Sequence, residues 1–210
     1  MKQVNGVWLP DHEEHLQEYA KAGPYGEWTY QKNKLDLSMP WVKKRDIAVD
    51  VGGHCGIWAR ELCKLFAHVH SFEPVADHRD CYGRNQKSAN WTLYPYALGE
   101  KDGRASTKTK QGSSGDTWLV EGGAVEVRTM DWFNLAPDLI KLDCEGYELF
   151  ALKGGEATLK KYKPVVIVEQ KPGHGSRFGL GDTDAVTYLE SLGYKMRREI
   201  WGDYILTYDV

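Results

Sequence analysis

Apolar residues recur along this chain with two different periods, and the alternation between them sets the expected architecture. Short strand-like runs stand at Ile47–Val51, His68–Phe72, Trp91–Leu98, Leu139–Asp143 and Pro164–Val168. The last is almost all valine and isoleucine, which predicts a strand buried on both faces. Between the runs lie segments with helical spacing: Ile57–Phe66, Ala76–Ser88, Tyr147–Lys160 and Thr183–Leu192. Gly154-Gly155 weakens the middle of the third, and Gly193 closes the fourth. Strands that alternate with helices predict a mostly parallel sheet with right-handed crossovers. The chain closes on a hairpin, Tyr194–Ile200 and Tyr204–Tyr208 around Trp201-Gly202-Asp203. The expected fold is therefore α/β: a doubly wound, mostly parallel sheet of about seven strands whose C-terminal hairpin adds an antiparallel edge.

Two regions depart from this rhythm. Gly103–Lys110 and Ala124–Arg128 read as strands of a hairpin-like insertion, with Gly112–Gly115 and Gly122-Gly123 as loops. Lys171–Gly181 is a glycine-rich loop. Residues 1–45 are irregular: a short helix over His12–Lys21 with Asp11 as N-cap, a turn at Gly23-Pro24-Tyr25-Gly26, and a helix over Tyr30–Leu37 that ends before Pro40. Trp8, Tyr19, Tyr25, Trp28, Tyr30 and Trp41 crowd this stretch, which is too short for its own core. We expect an aromatic-rich cap at 1–45 and a main domain at 46–210.

Composition narrows the partners. A length of 210 residues suits one such domain, and a formal charge of −3 argues against non-specific nucleic-acid binding. Cys55, Cys63, Cys81 and Cys144 form no C-x-x-C pair, so neither a zinc site nor a disulfide framework is expected, and the expected setting is reducing and cytoplasmic. No apolar run approaches the ~20 residues of a membrane span. The partner expected is a small molecule, with no nucleic acid and no membrane.

The candidate chemistry begins at the turn after the first strand, Asp50-Val51-Gly52-Gly53-His54-Cys55-Gly56. In open α/β sheets, ligands sit outside the carboxyl ends of the strands. The dinucleotide pattern G-x-G-x-x-G fails here, because its first glycine would be Val51, and no Gly-Lys-Ser/Thr follows. What remains is D-x-G-x-x-x-G. Glu73 ends the next strand, where an acid accepts both hydroxyls of a ribose. A cofactor with no phosphate to hold, S-adenosylmethionine, satisfies both features. Its carboxylate suits amides at a helix N-terminus. Asp50 either attracts its ammonium or only caps the turn.

The third signal is Ile140-Lys141-Leu142-Asp143-Cys144-Glu145-Gly146-Tyr147-Glu148, a strand that ends in carboxylates. Asp143, Glu145 and Glu148 cannot all be core residues without a heavy desolvation cost, so they line a cleft or cap the next helix. Together with Ser71-Phe72-Glu73-Pro74, Ala97-Leu98-Gly99, Thr129-Met130-Asp131 and Leu152-Lys153-Gly154-Gly155, these motifs resemble, in order, the FkbM-type S-adenosylmethionine-dependent methyltransferases. The resemblance covers about residues 46–170. The family usually has a small residue and asparagine where this chain has Gly53-His54.

The resemblance implies a class I methyltransferase fold and methyl transfer, mostly to hydroxyl oxygens of small molecules or sugars. It implies cofactor binding by the turn residues Gly52, Gly53, His54 and Gly56, with Asp50, and by Glu73-Pro74. Ala97 and Leu98 would lie near the adenine and Asp143 close to the methyl donor. Candidates for the group that takes the acceptor's proton are Asp143, Glu145, Glu169 and His174. His174 lies in Gly173-His174-Gly175, a lid or an exposed loop. The oxygens of Asp143, Glu145 and Glu148 suit Mg²⁺, but no metal is assigned. The base-binding N/D-P-P-Y/F run is absent, since Asp143-Cys144-Glu145-Gly146 stands at that strand end. The alternative is a protein that binds the cofactor and performs no chemistry.

Overall fold

The computed structural model describes residues 1–208. It opens with a hairpin that the apolar pattern does not announce. β1 (Lys2–Val4) and β2 (Val7–Leu9) pair antiparallel around Asn5-Gly6, both at positive φ, the composition favoured in such two-residue turns. α1 (His15–Ala22) and α2 (Lys32–Ser38) begin later than expected. Asp11 is not the N-cap of α1, because its carboxylate takes the chain's amino terminus at 2.8 Å. Glu13 serves the helix instead, accepting the Leu16 N–H at 2.7 Å.

From residue 47 the elements alternate as expected. β3 (Ile47–Val51), α3 (Ile57–Leu62), β4 (His68–Phe72), α4 (Ala76–Asn85) and β5 (Trp91–Tyr94) come first. Pro95 breaks the predicted third strand, and its far end becomes β6 (Ala97–Leu98) in another sheet. The insertion is larger than expected: β7 (Gly103–Lys110), β8 (Ser113–Glu121) and β9 (Val125–Arg128) form with β6 a sheet ordered β6-β9-β7-β8. Part of the predicted Gly112–Gly115 loop is thus strand. β8 carries no alternating apolar pattern, so nothing local marked it.

β10 (Leu139–Leu142), α5 (Glu148–Lys153), α6 (Glu156–Tyr162), β11 (Val165–Glu169), α7 (Asp184–Ser191), β12 (Tyr194–Ile200) and β13 (Asp203–Tyr208) complete the chain. The predicted helix over Tyr147–Lys160 is two helices. A Cβ on Gly154 would fall 1.9 Å from the Gly99 carbonyl oxygen, so the glycine pair lets the chain bend against a neighbouring backbone.

The main sheet is mixed, with seven strands in the order β12-β13-β11-β10-β3-β4-β5. Among the described residues, β13 alone runs against its neighbours. The terminal hairpin therefore places its antiparallel strand one position inside the edge, not at it. Burial explains the choice: Ile205 and Leu206 are fully buried, whereas β12 exposes Lys195 to Glu199, a polar face that blunts an edge.

Strand alternation divides the core between the two faces. Val49, Val51, Ile140, Leu142, Val166 and Val168 pack with Leu152, Leu159 and Leu189 of α5–α7. Ala48, Leu139, Ile167 and Ile205 pack with Leu35, Trp58, Leu62 and Tyr82 of α2–α4. The N-terminal hairpin and α1 bury Val7, Leu9, Leu16 and Ala20 against Cys55, Ile57 and Cys81. They lie over the first glycine turn and so help to shape the site. Among the described residues, no helix is long and apolar enough to cross a membrane, and the four cysteines are free.

Candidate active site

The carboxyl ends of β3, β4 and β10 open into a cavity of about 590 Å³, within the ~300–1,000 Å³ usual for small-ligand sites. The first glycine turn forms its floor. Gly52 sits at φ +82, and a Cβ there would fall 1.9 Å from the Asp143 carbonyl oxygen. The turns after β3 and β10 thus touch backbone to backbone, which only glycine permits. The N–H groups of Gly52 and Gly53 both donate to the Phe72 carbonyl at 3.0 Å, binding the turn to the end of β4.

Not every predicted residue faces the cavity. Gly52, Gly53, His54, Glu73, Pro74, Ala97, Leu98, Asp143 and Glu145 line it. Gly56 does not. At φ +77 it begins α3 and packs against Gln86 and Tyr82. Asp50 does not either: it is fully buried on the α3 face, 3.4 Å from Lys141 Nζ. Its carboxylate pairs with Lys141 inside the sheet.

Glu73 is nearly buried and accepts the N–H groups of His54 at 2.9 Å and Val75 at 2.8 Å. Burial pushes its carboxyl up, but the His78 ring 3.3 Å away and the backbone donors outweigh this and hold it below its ordinary value. An ionised acceptor therefore stands on the cavity wall. Phe72, Pro74, Val75 and Leu98 supply apolar surface beside it.

His54 closes this side of the cavity. Its Nε2 lies 2.7 Å from Ser114 Oγ at the tip of the β7–β8 hairpin, and the Ser114 hydroxyl donates to Glu13. Ser114 has one proton to give, so His54 donates from Nε2. Burial drives the His54 ring down to about 3, with His78 adding to the effect, so the imidazole is neutral. The chain Glu13–Ser114–His54 fastens the N-terminal segment and the insertion to the turn after β3. Ser114 and Glu13 carried no signal in the sequence, because only the tertiary fold brings them to His54.

The carboxylate cluster divides in two. Asp143 faces the cavity. Burial pushes its carboxyl up, but Lys141 at 3.6 Å and Lys171 overcome this and hold it well below the usual range. Glu145 also lines the cavity, at a left-handed φ of 57. Glu169 and His174, both predicted as candidate bases, stand behind the wall. Glu169 is buried with Lys171 Nζ 2.8 Å away, and burial with the Asp143 charge pushes its carboxyl up to about 10. His174 packs on Glu145 with Nδ1 2.9 Å from Oε2. Glu148 turns inward and caps its own turn, accepting the N–H groups of Cys144 at 2.8 Å and Gly146 at 3.1 Å. The Asp143–Glu145–Glu148 oxygens therefore do not converge as one set. Lys141 could have been found from sequence, as a charge inside an apolar strand. Lys171 had no such mark.

The methyltransferase FkbM domain pattern matches residues 50–196. The chain belongs to the FkbM methyltransferase family. Its cofactor is S-adenosylmethionine. A hexuronic acid methyltransferase, AglP, of Haloferax volcanii is 27% identical over 147 residues, covering 65% of this chain and 61% of that protein. The crystal structure of an FkbM methyltransferase from Methylobacillus flagellatus aligns with a TM-score of 0.54 at 22% identity, over 78% of this chain and 44% of that one. The N-methyltransferase NodS of Bradyrhizobium japonicum, solved with S-adenosyl-L-homocysteine, aligns at 0.51 with 11% identity, over 84% and 82%. This chain thus spans under two thirds of the first two relatives. The cavity suits the cofactor: an ionised carboxylate, Glu73, stands on its wall beside the apolar surface of Phe72, Pro74, Val75 and Leu98.

Proposed function

We propose that this FkbM chain transfers a methyl group from S-adenosylmethionine to a hydroxyl oxygen of a sugar, with an acidic sugar favoured. The observation that carries the proposal is that one cavity is bounded by both the Glu73 and the Asp143 carboxylates. Glu73 would hold the ribose, the turn at Gly52 and Gly53 would face the amino acid end, and Ala97 and Leu98 would flank the adenine edge. The cofactor supplies a methyl group on a positively charged sulfur.

The chain's own task is positioning. A hydroxyl held in line with the S–CH₃ bond at near-attack distance gains several kcal/mol from orientation. Asp143, ionised beside Lys141 and Lys171, would accept the acceptor's hydrogen bond and aim its lone pair. A weakly basic carboxylate suffices, because an oxygen that has gained a methyl group loses its proton readily. Glu145 is the second acid within reach. Trp28, Tyr30 and Trp58 line the same cavity and suit the apolar face of a sugar ring. Lys171 adds a cation suited to a uronate carboxyl, the acceptor type named for the Haloferax relative.

The test is incubation with S-adenosylmethionine and uronic-acid saccharides, reading S-adenosylhomocysteine release and O-methyl sugar by mass spectrometry. The expected product is a sugar methyl ether. Tight cofactor binding without any methylated hydroxyl across neutral and acidic sugars would overturn the proposal in favour of a silent cofactor-binding protein.

A further inference from the structure

We propose that Glu145, Glu169 and His174 form a binding site for a divalent transition cation behind the cavity wall. One ligand atom from each lies within 4.8 Å of the other two. They come from separate elements: the turn after β10, the end of β11, and the glycine-rich loop that follows it.

Two observations point beyond a chance cluster. His174 Nδ1 is 2.9 Å from Glu145 Oε2, yet that oxygen, buried, receives no hydrogen bond. Two such atoms are spaced like neighbouring ligands on one metal, roughly 3 Å apart for bonds of about 2.1 Å. The second observation is Glu169. Its side chain is 2% exposed, and neither carboxylate oxygen receives a hydrogen bond. Buried polar atoms without a donor are rare and costly. Lys171 Nζ lies 2.8 Å from Oε1. Its side chain is 38% exposed and lines the cavity, so it can turn to solvent when a metal enters.

The backbone holds the three in place. Glu145 adopts φ 57, a left-handed conformation that costs about 1–2 kcal/mol outside glycine, and such strain gathers at functional sites. The next residue, Gly146, sits at φ +103, and a Cβ there would fall 2.4 Å from the His174 carbonyl oxygen. Arg177 Nη1 donates to the Glu145 carbonyl at 3.1 Å. The loop carrying His174 is thereby clamped to the turn carrying Glu145.

The donor set selects the metal class. Two carboxylates with one imidazole suit Mn²⁺ or Zn²⁺ better than Mg²⁺, which prefers an all-oxygen octahedron. Lys171, and Arg177 at 3.8 Å from Glu145 Oε2, oppose a cation, so affinity is moderate rather than extreme. The site stands whether or not the chain transfers methyl groups.

The test titrates the full chain, without cofactor or acceptor, with Mn²⁺ followed by electron paramagnetic resonance, and repeats it with Zn²⁺ and Mg²⁺ by calorimetry. We expect one saturable Mn²⁺ site at least tenfold tighter than Mg²⁺. Glu169→Gln and His174→Gln should each weaken it roughly tenfold or more, and Lys171→Met should tighten it. Melting curves with and without Mn²⁺ check that the variants fold: the wild type gains thermal stability from Mn²⁺ and the two ligand variants do not. The absence of saturable binding up to millimolar Mn²⁺, or unchanged binding in both ligand variants, overturns the proposal.

Discussion

Lys141 stands directly opposite Asp50 in the parallel pairing of β10 with β3, and its Nζ lies 3.4 Å from Asp50 Oδ1 with both residues almost wholly buried. The same ammonium reaches Asp143 at 3.6 Å and the Gly52 carbonyl at 3.5 Å. One cation thus ties the sheet interior to both turns of the cavity. Burial alone would lower the Lys141 pKa, but the Asp50 and Asp143 charges raise it above its ordinary value, so the site is charged.

Lys141→Met therefore leaves the buried Asp50 carboxylate without its cation. Breaking a buried pair costs about 3–5 kcal/mol. Urea unfolding should show a loss of that order, and Asp50→Asn combined with Lys141→Met should recover a large part of it. A single variant as stable as the wild type would refute the structural role of the pair.

His54 gives a pH dependence whose sign is fixed. Its folded pKa is about 3, against about 6.5 in the unfolded chain. Below pH 6.5 the unfolded state binds a proton that the folded state refuses. Its contribution is intact above pH 6.5 and is lost as pH falls toward 3, by up to about 1.4 kcal/mol per unit. His54→Asn should flatten this slope. Between pH 7.5 and 5 the variant should lose up to about 2 kcal/mol less than the wild type in denaturant titrations. Parallel pH profiles would show that His54 takes up its proton freely in the folded chain.

The alternation of β3, α3, β4 and α4, and the approximate positions of β10, β11 and α7, were legible because their apolar spacing is local. Glu73 and Asp143 were legible as cavity acids because both end strands in a sheet whose ligand edge is known from topology. Asp50 and Gly56 do not line the cavity, since sequence cannot say which side of a turn faces it. For Asp50 the deciding partner is Lys141, 91 positions away and adjacent only across the sheet. β8 escaped notice because its polar run pairs with β7 and shows no stripe. Glu169 and His174 share an edge with Asp143, but Lys171 and the clamp at Gly146 set them behind the wall.

Glu148 should run opposite in sign to His54. Burial pushes its carboxyl up to about 7, against the pull of its backbone donors, while the unfolded value is about 4.3. As pH rises from 4.3 to 7 the unfolded chain releases its proton first, so stability falls across that window. Glu148→Gln keeps an oxygen for the Cys144 and Gly146 amides and carries no charge. At pH 8 it should match or exceed the wild type, and its pH profile should lose that fall. Glu148→Ala leaves both amides without an acceptor and should cost about 1–3 kcal/mol at every pH. A glutamine variant as unstable as the alanine one would mean that the carboxylate charge itself is needed.

Glu73 and Asp143 should separate cofactor binding from turnover. Glu73→Gln removes the charge that accepts ribose hydroxyls. Hydrogen bonds to a charged group are worth about 1.5–3 kcal/mol, so S-adenosylmethionine affinity should fall roughly 10–100-fold by calorimetry. Asp143→Asn keeps the shape of the wall and removes the group that aims and relieves the acceptor hydroxyl. Cofactor affinity should change by no more than about threefold, because Lys141 keeps Asp50 as partner. Turnover should fall about 10²–10⁴-fold, the range for a lost general base. Saturating cofactor should not restore it, whereas it should largely restore the Glu73 variant. If Asp143→Asn binds cofactor poorly and turns over normally once saturated, Asp143 is a cofactor ligand and the acceptor is positioned by Glu145.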